Sequence, residues 1–88
     1  MSKDYTFEEL KALFAADLSQ KMKVLQDAVG NGSWETISRI SHQIKGTAKS
    51  FGFTNISALA AELEQSIAQN RLELAPGLVK KISDASVL

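Results

Sequence analysis

Apolar residues return along this chain at helical spacing from near its start to near its end. Phe7, Leu10, Phe14, Leu18, Met22, Leu25 and Val29 follow one another at intervals of three or four, which sets them on one stripe of an α-helix. Thr6-Phe7-Glu8-Glu9 has capping-box form, a hydroxyl residue followed three later by a glutamate, and marks where that helix starts. Gly30-Asn31-Gly32 stops it, supplying a left-handed C-cap and a tight turn. Ser33 is the expected N-cap of a second helix, with Ile37, Ile40, Ile44, Ala48 and Phe51 on one stripe and an end near Gly52. Thr54-Asn55 offers the next cap, and Ile56, Leu59, Leu63 and Ile67 carry a third helix to about Asn70. Residues 70–75 read as a connection. Pro76 then suits the first turn of a last, shorter helix in which Leu78, Ile82 and Ala85 share a face. Four helices joined by short loops predict an all-α fold, an antiparallel up-down-up-down four-helix bundle with these stripes as its core.

Composition narrows what such a bundle can do. The 88 residues, 44% apolar, are expected to form one domain over residues 1–88 around a single core. Ten basic and ten acidic residues leave no net charge, hence no long-range field to hold nucleic acid or an anionic membrane. The absence of cysteine removes disulfides, thiolate chemistry and zinc-thiolate sites, and fits a reducing compartment. With no apolar run of about 18 residues and no signal pattern, the chain is expected to be soluble, cytoplasmic and monomeric, whether free-standing or part of a longer protein. A single histidine without a Glu-x-x-His partner predicts no metal site. No Gly-x-Ser-x-Gly turn suggests a hydrolase.

That histidine stands out by position. With Ile37 at zero and about 100° per residue, Ile40, Ile44, Ala48 and Phe51 fall near zero, His42 at about 140° and Gly46 at about 180°. His42 is therefore expected to face water. Its neighbours three or four residues away are Ser38, Arg39, Lys45 and Gly46, with Lys49 a turn further on. Three cations around one imidazole would favour its neutral, nucleophilic form and would stabilise a dianion on the ring. Gly46 costs roughly 0.8–1 kcal/mol against alanine inside a helix, and away from the stripe it offers bare backbone to an approaching body.

If the second and third helices form a hairpin turning near Phe53, positions whose numbers sum to about 106 lie opposite each other. The partner of His42 is then Glu64. A carboxylate there could fix the imidazole tautomer, or it could be a solvated glutamate of little consequence. The same arithmetic about Asn31 puts the His42 level of the first helix at about residues 17–21, near Leu18.

These residues carry a resemblance. His42-Gln43-Ile44-Lys45-Gly46, then Ser50-Phe51-Gly52-Phe53, then Leu59, Leu63 and Glu64 resemble the histidine-containing phosphotransfer (HPt) domain of bacterial two-component phosphorelays. The motif spans the middle quarter to third of the chain. The resemblance implies that His42 accepts a phosphoryl group from the aspartate of a response-regulator receiver domain and passes it to another. It implies that Lys45 helps hold that group, that Gly46 leaves room for the receiver, and that Glu64 hydrogen-bonds the imidazole. Arg39 and Lys49 come from the helical wheel alone. The implied protein is a phosphoryl carrier without kinase activity of its own, needing no cofactor, since the receiver brings Mg²⁺. Its partners would be receiver domains and a histidine kinase. Phe51-Gly52-Phe53 also resembles the amino-terminal (P1-type) phosphotransfer domain of chemotaxis histidine kinases. Those domains usually place another histidine where this chain has Ala61. An alternative from a different class is a non-catalytic helical interaction module with His42 incidental.

Overall fold

In the computed structural model, which describes residues 5–86, the backbone turns where the sequence breaks its apolar rhythm. Residues 1–4 and 87–88 of the expected 1–88 domain lie outside the described residues. The helices are α1 (Phe7–Asn31), α2 (Trp34–Ser50), α3 (Thr54–Ala68) and α4 (Ala75–Ala85), with one 3₁₀ turn, Leu72–Leu74, before α4. Each helix packs on the next, and α4 returns to α1, closing an antiparallel four-helix ring. No strand occurs among the described residues.

The predicted cap at Thr6 forms in full. Its hydroxyl accepts from the Glu9 N–H at 3.1 Å while the Glu9 carboxylate accepts from the Thr6 N–H at 3.1 Å. The two later N-caps differ from expectation. Ser33 does occupy the N-cap position of α2, but its side chain makes no capping bond; Phe53, not Thr54 or Asn55, precedes α3, and Thr54 is already helical. The reason lies in the preceding helix ends. A left-handed residue follows each of the first three helices, Gly32 at φ 68°, Gly52 at φ 84° and Asn70 at φ 59°. The next N–H then bonds back to a carbonyl inside the helix, Ser33 to Ala28 at 2.9 Å, Phe53 to Ala48 at 2.8 Å and Arg71 to Ser66 at 2.7 Å. At Ser33 and Phe53 this closure leaves ψ near 75° and 73°, against 162° at Thr6, so the residue enters the next helix from a backbone that does not aim a hydroxyl at the first free N–H groups.

The stripes meet in one core: Phe14, Leu18, Met22 and Leu25 from α1, Ile37, Ile40, Ile44 and Ala48 from α2, Ile56, Ala60 and Leu63 from α3, and Leu78, Val79 and Ile82 from α4. Phe14 stacks on Phe53 with ring centroids 4.7 Å apart and tilts against Phe51 at 5.5 Å, so both aromatics of the Phe-Gly-Phe segment serve the core. Buried Ser41 and Ser66 donate to carbonyls one turn back, Ser38 and Leu63, and are satisfied inside their own helices.

One stripe position is corrected. Phe7 is 62% exposed. Phe14 already lies level with the α2–α3 turn, so the first turn of α1 runs past the end of the hairpin and leaves Phe7 uncovered. Periodicity gave Phe7 the right side of the helix but could not say that the bundle ends before it.

Candidate functional site

The α2–α3 hairpin places three side chains in one cluster. His42 lies on the outer face of α2, 66% exposed at its side chain. Glu64 reaches across from α3: its Oε2 is 2.9 Å from His42 Nδ1, and its Oε1 accepts from Lys45 Nζ at 2.7 Å. The register that put residue 64 opposite residue 42 is thus the register of the molecule. A third cross-link lies two turns nearer the hairpin's end, where the Ser57 hydroxyl donates to the Lys45 carbonyl at 2.9 Å. The sequence reading missed Ser57. Its signal was present, because a residue seven before Glu64 shares its flank of α3.

The electrostatics assign the tautomer. The Lys45 ammonium, hydrogen-bonded to Glu64, holds that carboxyl below its ordinary range; partial burial pulls the other way, and His42 adds to the lowering. Glu64 is therefore ionised at neutral pH and can only accept. In the neutral imidazole the proton must sit on Nδ1, which leaves the Nε2 lone pair directed outward.

The cations divide. Of Arg39, Lys45 and Lys49, Lys45 alone makes an ion pair among the described residues, and it makes it with Glu64. Arg39 and Lys49 are exposed and do not line the depression beside His42. The expected ring of three cations is reduced to one engaged lysine.

Gly46 borders that depression together with His42, Gln43 and Thr47. A Cβ built on Gly46 meets nothing within 4 Å, so packing inside this chain does not demand glycine there. The far wall comes from α1, where Lys21 lines the same depression. Lys21 lies at one end of the 17–21 span that the register arithmetic gave near Leu18, while Leu18 itself is buried in the core. Among the described residues no three His, Asp or Glu side chains converge as a metal site would require, and no helix is long and apolar enough to cross a membrane.

A family model described as Hpt domain matches residues 9–86. No curated protein and no solved structure matches the chain.

Proposed function

The chain belongs to the Hpt domain family, whose members are phosphocarriers of two-component signalling and not kinases, and on that premise we propose that His42 Nε2 is the atom that carries the phosphoryl group. The donor and acceptor are the phospho-aspartate and aspartate of response-regulator receiver domains. The single observation that carries the reading is the hydrogen bond between Glu64 and Nδ1 of an otherwise exposed imidazole. It turns one nitrogen toward the protein and leaves the other as a nucleophile in water.

The step follows from that geometry. The Nε2 lone pair attacks phosphorus in line as the P–O bond breaks, and the electron pair leaves with the receiver's aspartate. The Nδ1 proton stays on the ring, and the ionised Glu64 faces the positive charge that develops there. Phosphoryl transfer needs positioning and charge neutralisation more than covalent assistance. Lys45 contributes a cation beside the ring, and Gly46 offers backbone close to His42 without a side chain in the way. The receiver is to bring its acceptor aspartate and Mg²⁺, so this chain supplies an oriented imidazole and no cofactor of its own.

The test is incubation with a panel of phosphorylated receiver domains, following label by intact mass. An acid-labile, base-stable adduct of one phosphoryl group is expected, absent from His42→Gln although that variant keeps its helicity and melting. An adduct that persists in His42→Gln overturns the assignment. Labelling by a chemotaxis-type kinase core with ATP, and by no receiver, would replace it with the kinase-fused reading.

A further inference from the structure

We propose that Lys21 of α1 is a second phosphoryl-binding residue of the His42 site, kept on Asp17 until the phosphoryl group arrives. The inference rests on the phosphotransfer reading of His42 and extends it to a helix outside the matched motif residues. It begins with a charge count. A phosphoryl group on Nε2 brings about two negative charges. On the α2–α3 side Lys45 is already neutralised by Glu64 at 2.7 Å, and the same carboxylate holds Nδ1. Lys45 shares its single charge with Glu64, so by itself it does not neutralise a dianion on Nε2.

On the other side of the imidazole, Lys21 lines the depression that His42 and Gly46 border. The ring contact between Phe14 and Phe51 at 5.5 Å fixes the α1–α2 register, which sets Lys21 level with Ile44, midway between His42 and Gly46. Its side chain is only 20% exposed. Its Nζ sits 2.7 Å from Asp17 Oδ2, one turn earlier on α1. Asp17 itself is 48% exposed, so this i,i+4 pair is held in a wet, screened setting and is weak. A dianion at Nε2 offers stronger charge-assisted hydrogen bonds than a solvated carboxylate. The four-carbon stem of lysine lets the ammonium swing without moving the helix. Arg39 and Lys49 stand outside the depression and do not compete for the role.

The covalent step is unchanged: the N–P bond forms as the donor's bond to phosphorus breaks, and the ring keeps its Nδ1 proton. Lys21 then leaves Asp17 and binds the transferred oxygens. Asp17 therefore sets how readily the cation is released, and the two residues act with opposite signs.

Phosphoramidate is the discriminating donor, since it has no docking surface and loses only ammonia when its P–N bond breaks. Uptake and phosphohistidine lifetime would be measured with it and with a phosphorylated receiver, for wild type, Lys21→Gln, Lys21→Arg and Asp17→Asn. Asp17 is half-exposed and Lys21 mostly covered, so helicity would be checked for each variant. Lys21→Gln is expected to slow uptake and shorten the lifetime by about three- to tenfold with the small donor, and to move the ³¹P resonance of the phosphohistidine. Lys21→Arg should restore most of the loss, and Asp17→Asn should lengthen the lifetime by about two- to threefold. A Lys21→Gln effect seen with the receiver and not with phosphoramidate would make Lys21 a docking residue and overturn the proposal. So would an Asp17→Asn change in the same direction as Lys21→Gln. If wild type takes no label from either donor, the phosphotransfer reading itself falls, and the proposal falls with it.

Discussion

The two long sides of this bundle are built differently. Between α2 and α3 the helices pack along their length, and three polar links cross the seam: His42 to Glu64, Lys45 to Glu64, and Ser57 to the Lys45 carbonyl. Between α1 and α4 the contact is short, and no hydrogen bond crosses it among the described residues. There Lys80 pairs within its own helix, with Asp84 at 3.7 Å. Shallow grooves lined by serine, glutamine and lysine run along that seam. Apolar burial is non-directional and stabilises either seam. On the α2–α3 side the directional bonds of Glu64 also hold an imidazole in one orientation, which burial cannot do.

The comparison can be broken most forcefully in the apolar seam. Ile82 of α4 is fully buried, so Ile82→Ala should cost about 2–5 kcal/mol of unfolding free energy. Phosphoryl uptake per folded molecule should stay at the wild-type rate, measured by denaturant melts beside transfer assays at a temperature where the variant is folded. A specific loss of transfer in that variant would show that the two sides are not separable.

Glu64→Ala tests the polar seam. It should slow phosphorylation by about ten- to hundredfold, the cost of a charge-assisted hydrogen bond of about 1.5–3 kcal/mol, with the fold intact. A wild-type rate would make the carboxylate a bystander. The pH dependence carries the same signature. Because the folded-state pKa of Glu64 is depressed, its contribution to stability is complete above the unfolded carboxyl value of about 4.3 and is lost as pH falls through the lower folded value. Glu64→Gln should flatten that acid limb; an unchanged limb would show that other carboxyls set it.

The smallest effect comes from two glycines that are alike in isolation. A Cβ on Gly46 or on Gly77 meets nothing within 4 Å, and both are helical. Alanine at either position should therefore stabilise the chain by up to about 1 kcal/mol. Only at Gly46 should a larger residue such as leucine slow transfer from a receiver, because only that glycine borders the His42 depression. Equal transfer rates for the Gly46→Leu and Gly77→Leu variants would remove the clearance argument.

Much of this was legible in the sequence, and the misses have a common cause. The 3.6-residue period fixed which way each residue points about its helix axis, so the isoleucine stripe of α2 and the outward face of His42 could be read without coordinates. The short Gly32 and Gly52 turns fixed the register between neighbours, so Glu64 could be placed opposite His42 from residue numbers alone. Tertiary structure decided what depends on distances between helices and on where packing stops. It left Phe7 uncovered past the end of the α2–α3 hairpin, it took the capping role from Ser33 and Thr54 because the preceding helix closes on the N–H of Ser33 and of Phe53, and it gave Lys45 to Glu64 while Arg39 and Lys49 stayed outside the cluster. Period and loop length are local properties of a chain and are written in it. The partner chosen by a long, flexible charged side chain is settled by a few ångströms of interhelical gap, and no spacing of residues records that.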